Sequence, residues 1–174
     1  MFNRTIINDL KHWKEQKDRK PLMMLGARQV GKTSVLKRFG RECFEHCVYF
    51  SLDEEAGVCD IFRTTKNPTQ IIEQLSYLTD EPILPEKTLL VLDEIQDCPE
   101  AISSMKYFCE KTPEYAIACA GSLLGLAFGH EGFSFPVGKV DHINMYPVTF
   151  SEFLEQKDSG LYRYYKSIDS IEPL

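Results

Sequence analysis

Gly26-Ala27-Arg28-Gln29-Val30-Gly31-Lys32-Thr33 has the spacing G-x-x-x-x-G-K-[ST]. It stands between an apolar run, Leu22-Met23-Met24-Leu25, and a helical pattern, Ser34-Val35-Leu36-Lys37-Arg38-Phe39. A strand, a glycine-bearing turn and a helix in that order make a phosphate cradle. Gly26 and Gly31 let the backbone turn tightly, so that successive N–H groups through Ser34 point at one polyphosphate while the helix presents its positive dipole end. Lys32 is expected to reach the β/γ-phosphate oxygens. Thr33 is expected to give a hydroxyl to Mg²⁺, an ion that takes octahedral oxygen ligands. The loop therefore predicts a nucleotide-binding protein.

Working outward, short apolar runs recur at Cys47–Phe50, Leu89–Leu92, Tyr115–Ala120 and around Val140 to Met145. Runs that are continuous rather than alternating predict strands covered on both faces. Between them, Ile71, Ile72, Leu75 and Leu78 mark one crossover helix, and Ile102, Met105 and Cys109 after Pro99 mark another. This βα alternation predicts a three-layer α/β fold on a mostly parallel sheet. Ahead of the loop strand, Ile6, Ile7, Leu10 and Trp13 predict an amphipathic helix capped by Asn3, and Pro21 opens the strand. Near the end, Thr149-x-x-Glu152 reads as a capping box, with Val148 stapling against Phe153, and opens a helix through Leu154 and Glu155. Glu152 is thus read as a cap rather than a catalyst. The aromatic segment Tyr162-Arg163-Tyr164-Tyr165 shows no pattern.

The 174 residues, 43% hydrophobic, suffice for one core, so residues 1–174 are expected to form a single domain. No apolar stretch approaches the roughly 20 residues of a membrane span, and no leader precedes the first helix, which predicts a soluble cytoplasmic protein without a membrane partner. The six cysteines form no C-x-x-C pair and fit reduced thiols; Cys43, His46 and Cys47 lack a second ligand pair at zinc spacing. None of the four histidines, His12, His46, His130 and His142, belongs to a catalytic motif. The net charge of -6 hides an asymmetry: residues 1–41 carry 11 Lys/Arg against 3 Asp/Glu, the rest 9 against 23. A basic arm suits nucleic-acid phosphate, so nucleic acid stays open as a partner. Lys11, Lys14 and Lys17, however, fall on the polar side of the first helix, where a solvated face accounts for them.

Leu89-Leu90-Val91-Leu92-Asp93-Glu94 is the second constellation, a strand that delivers two carboxylates at its C-terminal end, where ligands collect in open α/β sheets. Asp93 is expected to hold Mg²⁺ through water. Glu94, where the chain leaves the ladder, is expected to orient and polarise the water that attacks the γ-phosphate, which favours hydrolysis over transfer. Ala120-Gly121-Ser122 closes the next strand, and Ser122 is read either as a polar sensor of the γ-phosphate or as a turn hydroxyl capping the next segment. Arg28 and Lys139 each face a choice between phosphate and an acidic partner.

The loop, Leu92-Asp93-Glu94-Ile95-Gln96, Ala120-Gly121-Ser122 and above all Met145-Tyr146-Pro147-Val148-Thr149-Phe150-Ser151-Glu152-Phe153-Leu154 resemble the ATPase half of a widespread prokaryotic family of AAA-type ATP-binding proteins. The resemblance covers nearly the whole chain. It implies a P-loop NTPase sheet of order 5-1-4-3-2, ATP and Mg²⁺ as ligands, and Lys32, Thr33, Asp93, Glu94 and Ser122 in the roles above. In that family a nuclease-like or winged-helix-like domain follows, which would make residues 1–174 the N-terminal part of a longer protein. Relatives often carry Gly-Arg where this chain has Gly138-Lys139, and Lys lacks the planar fork of Arg. The expected function is a Mg²⁺-dependent ATPase module driving an attached domain or partner, slow in isolation because its arginine would come from self-association or another domain. Two other classes compete. A nucleic-acid motor shares the Asp93-Glu94-Ile95-Gln96 pattern but needs a second motor domain; a nucleotide-dependent binding module would hydrolyse little. No Arg cluster suggests a kinase lid, and Thr65-Lys66-Asn67-Pro68 lacks the Asp that reads guanine.

Overall fold

Strands β1 (Leu22–Gly26), β2 (His46–Ser51), β3 (Thr88–Asp93), β4 (Ala116–Ser122) and β5 (Asp141–Met145) form one sheet. The computed structural model describes residues 4–122 and 135–168. All four strand pairings are parallel and the order is β2-β3-β4-β1-β5, which from the opposite edge reads 5-1-4-3-2. Every residue of β3 and β4 is buried, whereas the edge strand β5 shows exposed His142 and Asn144 before it ends at buried Met145. Unbroken apolar runs thus mark the strands with helices on both faces, as layered packing requires.

Side-chain parity divides the core in two. Leu22 and Met24 of β1, Leu89 and Val91 of β3, and Ala116, Ala118 and Ala120 of β4 face helices α1 (Ile6–Glu15) and α2 (Lys32–Cys43). Met23, Leu90, Leu92, Ile117 and Cys119 face the other way, against α3 (Ala56–Thr64), α4 (Pro68–Ser76) and α5 (Pro99–Lys111). Alternation at period 2 makes this division automatic. Trp13, Phe39 and Phe44 meet in sequence on the first face, the first pair tilted and the second edge to face, with ring centroids 6.3 and 5.6 Å apart. Burial of a side chain the size of Phe39 contributes about 1.5–3 kcal/mol, so these aromatics fasten α1 to α2 firmly.

Four local features differ from expectation or extend it. Helix α3 is not among the elements that the apolar runs predict; its buried face is Val58, Cys59, Ile61 and Phe62. Leu78 lies past the end of α4 and is exposed. After α6 (Phe150–Lys157), the patternless aromatic segment forms a further helix, α7 (Ser159–Ile168), that buries no residue. The Asp158 carboxylate accepts the N–H groups of Gly160 and Leu161 at its start, and Phe150 meets Tyr165 edge to face at 5.5 Å. The fourth feature is the start of α1. Asn3 lies outside the described residues; Thr5 sits at the N-cap, and its N–H and hydroxyl are both donated to Glu152 instead of its hydroxyl capping its own helix. No helix among the described residues is long and apolar enough to cross a membrane.

Candidate functional site

Parallel strands end together, and here the ends carry the chemistry. Gly26 at the end of β1 is in register with Ser122 on β4 and with Met145 on β5, while β3 ends at Asp93 beside Ser51. A Cβ on Gly26 would overlap the Met145 carbonyl oxygen, so only glycine lets β1 run this close to the end of β5. Beyond it the loop turns through two left-handed residues, Gln29 at φ 63° and Gly31 at φ 96°, and Gly31 is the N-cap of α2. Ala27, Arg28 and Gln29 are exposed at the crest, Val30 and Gly31 are half-buried, and Ser34 is exposed on the first turn of α2.

Lys32 points inward. Its ammonium is buried and donates to Gly26 O at 3.1 Å and Ala27 O at 2.9 Å, which uses two of its three donors and holds the charge inside the curl of the loop. One residue on, the Thr33 hydroxyl donates to Asp93 Oδ2 at 2.5 Å. Asp93 is 3% exposed, and a carboxylate there survives only if its oxygens are satisfied. They are: Oδ2 also accepts the Tyr49 hydroxyl at 3.1 Å, and Oδ1 accepts the N–H of Glu94 at 3.0 Å. Burial, assisted by the Asp93 charge, pushes the Tyr49 phenol up to about 12, so it stays a neutral donor. The Lys37 ammonium lies 3.3 Å from the centre of the Tyr49 ring. Sequence reasoning missed Tyr49. The signal lay in strand pairing, because the β2–β3 register puts Tyr49 opposite Val91 and Ser51 opposite Asp93.

Glu94 leaves the strand by a left-handed residue, φ 48° and ψ 45°, an uncommon conformation for a side chain larger than glycine's. A 3₁₀ turn, Ile95–Asp97, follows. The turn brings Gln96 back so that its Nε2 donates to Glu94 Oε2 at 2.6 Å while its Oε1 accepts the N–H of Ser122 at 3.2 Å. A carboxylate demands the amide nitrogen and an N–H demands the oxygen, which fixes the amide orientation. Gln96 therefore links the second acid to the end of β4, a connection invisible in sequence because it spans 26 residues. Ser122 is buried, and its strand lies between the loop strand and the carboxylate strand. The segment it would cap as a turn residue, from 123 on, lies outside the described residues.

The remaining candidates fall elsewhere. Lys139 takes the acidic option, pairing with Glu110 at 2.9 Å; it precedes β5, so it lies at the opposite end of the sheet from the loop. His46 contacts Glu81 at 2.8 Å. Glu152 forms the capping box in both directions with Thr149, and it also binds Thr5 and faces Arg4. Burial alone would raise its carboxyl, but the N–H groups of Thr149 and Thr5, the Thr5 hydroxyl and the Arg4 charge bring it down to about 2.

Taken chemically, a glycine-bearing loop at a helix start and a buried ammonium suit a polyphosphate. The adjacent Thr33 and Asp93 oxygens are hard donors of the kind a small dication takes. A family of AAA domains matches the chain over residues 18–154. No curated protein matches it. Among solved structures it is similar to AMPPCP-bound DnaA from Aquifex aeolicus, 16% identical with a TM-score of 0.53 over 93% of this chain and 55% of that one. It is also similar to PCH-2 from C. elegans, 12% identical with a TM-score of 0.48 over 94% and 49%. A third likeness is the Aeropyrum pernix ORC1 protein in complex with DNA, 15% identical with a TM-score of 0.47 over 97% and 48%. The chain spans about half the length of these proteins. A five-stranded parallel sheet of this order, with the loop at the end of its fourth-ranked strand and the family match across four-fifths of its length, makes the chain a member of the AAA-domain family of P-loop ATPases, a nucleotide-binding ATPase module.

Proposed function

We propose that this module binds and hydrolyses ATP in a Mg²⁺-dependent manner and uses the cycle to move an attached domain or a partner protein. The observation that carries the reading is the convergence of Lys32, Thr33 and Asp93, from a loop and a strand sixty residues apart, at one end of the sheet. In this reading the N–H groups from Gly26 through Ser34 cradle the phosphates and Lys32 exchanges its loop carbonyls for β/γ-phosphate oxygens. Thr33 and Asp93 hold Mg²⁺, which when bound neutralises phosphate charge as a Lewis acid. Glu94 orients the attacking water and accepts its proton as the water oxygen bonds to the γ-phosphorus and ADP departs. Ser122 senses the γ-phosphate from the neighbouring strand.

No cation among the described residues is assigned to the transition-state charge, since Arg28 is exposed on the loop crest and Lys139 is bound to Glu110. Turnover in the isolated chain is therefore slow, and self-association, a C-terminal domain or a partner raises it. An arginine supplied this way is worth about 10³ to 10⁵ in rate. Measuring turnover per site across a wide protein-concentration series tests this directly. Fast hydrolysis by a demonstrably monomeric chain, independent of concentration, overturns the incomplete-site reading. Six unpaired cysteines are consistent with work in a reducing compartment, the cytoplasm.

One observation favours a second reading, a nucleotide-dependent binding module that hydrolyses little: Gln96 already occupies the Glu94 oxygen nearest to it, at 2.6 Å. Single-turnover hydrolysis decides, because Glu94→Gln matching the wild type rejects the catalytic role. Nucleic acid is the less supported partner. Arg4, Arg19 and Lys32 of the basic N-terminal part are buried, and Arg38 pairs with Glu42.

A further inference from the structure

Arg4 and Glu152 stand 148 residues apart in sequence, and both are almost wholly buried at the edge of the phosphate loop. The Arg4 guanidinium reaches three acceptors from three segments. Nη1 donates to Val30 O in the loop at 3.2 Å, Nη2 donates to Tyr146 O just past β5 at 2.5 Å, and Nε lies 3.3 Å from Glu152 Oε2. That last contact is a charge contact without hydrogen-bond geometry, so Glu152 acts on Arg4 by its field. Glu152 is itself held by the N–H and hydroxyl of Thr5 at 2.9 Å each and by the N–H of Thr149 at 2.9 Å.

The contact at Val30 matters because of peptide geometry. The described peptide bonds are all trans, so the carbonyl of Val30 and the N–H of Gly31 point in opposite directions from one rigid plane. Drawing the carbonyl toward Arg4 aims the Gly31 N–H the other way, away from the guanidinium. Gly31 is left-handed and has access to other backbone wells, so nothing in the residue itself holds that plane. The end of β5 reinforces the arrangement: Met145 touches the place where a Cβ would stand on Gly26, and its Cε lies 3.6 Å from the corresponding place on Gly31.

We infer that Arg4 is a positioning residue for the phosphate loop, oriented by Glu152, and that together they tie the loop's Val30–Gly31 peptide plane to the start of α1, the end of β5 and the capping box of α6. This rests on the reading of the loop as the nucleotide site. It assigns the Tyr146-to-Glu152 segment a task beyond capping a helix, since the same carboxylate that closes the capping box also orients the guanidinium on the loop. Lysine in place of Arg4 keeps the charge near Glu152 but cannot reach Val30 O and Tyr146 O together.

The test compares wild type, Arg4→Lys, Arg4→Met and Lys32→Ala by titration with a fluorescent ATP analogue, thermal unfolding and amide exchange at Gly31. For Arg4→Lys we expect a melting temperature within a few degrees of wild type, nucleotide binding weaker by about tenfold, the effect of one charge-assisted hydrogen bond, and faster exchange at Gly31. Arg4→Met should weaken binding further. If both Arg4 variants bind like wild type, or lose affinity only in proportion to their unfolded fraction, while Lys32→Ala loses binding, the positioning role is overturned and the pair is a brace for the fold alone. If Lys32→Ala also binds like wild type, the site reading itself fails, and this inference fails with it.

Discussion

Asp93 and Glu94 are neighbours on the chain but sit in different physical settings. Asp93 belongs to the sheet: it is the last residue of a buried strand, and each of its oxygens is bonded, to Thr33, Tyr49 and the N–H of Glu94. Glu94 belongs to a turn: half-buried, left-handed, and held by a single side-chain amide from Gln96. The half of the site around Lys32, Thr33 and Asp93 is thus built by the same packing that builds the core. The half around Glu94 depends on a local backbone conformation and one hydrogen bond, which a shift at the end of β4 can reach through Gln96. On the proposed reading, binding would rest on the half fixed by the core and hydrolysis on the half held by the turn.

Substitutions separate the two halves. Lys32→Ala removes the buried ammonium without touching the apolar pattern, and we expect it to abolish binding of a fluorescent ATP analogue at a melting temperature close to wild type. Glu94→Gln should leave Mg²⁺-ATP binding unchanged and lower single-turnover hydrolysis by about 10² to 10⁴, the range for a positioned general base. Asp93→Asn removes a carboxylate oxygen that the proposed function gives to Mg²⁺, and the Mg²⁺ concentration needed for half-maximal nucleotide binding should rise by more than about tenfold. Tyr49→Phe removes one of the hydroxyls on Asp93 Oδ2, and the same titration should shift in the same direction by only severalfold. Should Tyr49→Phe instead change turnover and not Mg²⁺ dependence, the division between the halves is drawn in the wrong place.

The smallest effect concerns acid. The Glu152 carboxyl is held down at about 2, so its contribution to stability is present above the ordinary carboxylate value and is lost as pH falls toward 2. Glu152→Gln should be less stable than wild type at pH 6 and 7, and the gap in melting temperature should close between about pH 4.5 and pH 2. A gap that stays constant over that range would show that packing, not the charge, is what Glu152 provides.

The sheet was legible because its strands are buried on both faces, so continuous apolar runs at 22–25, 47–50, 89–92 and 115–120 located four strands within a residue or two of their ends. The strand order followed from the resemblance, not from the runs. Helix α3 escaped because it has no side-chain cap and a Gly near its start, whereas α4, equally short, opens on Asn67 and Pro68; α7 escaped because a helix that buries nothing leaves no apolar period to read. In the site, the loop and the acidic pair were legible because their spacing is local. Tyr49, Gln96 and Arg4 were not, since each acts on a residue that only the fold brings near: Asp93 across a strand pair, Ser122 across the 3₁₀ turn, Val30 across the sheet edge. Lys139 shows the converse, a cation set next to the signature segment by sequence but at the far end of the sheet in space.

The position of β1 has a consequence for how the chain is made. Leu22-Met23-Met24-Leu25-Gly26 leaves the ribosome early, yet both strands that pair with it, β4 and β5, lie about 95 to 120 residues downstream. At roughly 5–20 residues per second, an apolar segment with both edges open waits about 5 to 25 s for its partners. Helices α1 and α2, which flank β1 in sequence and pack on one of its faces, are complete by residue 43 and are the first of the helices on either face to be made. The same Trp13–Phe39–Phe44 contacts that fasten those helices in the finished protein thereby hold the cover over one face of β1 while its two edges wait for β4 and β5.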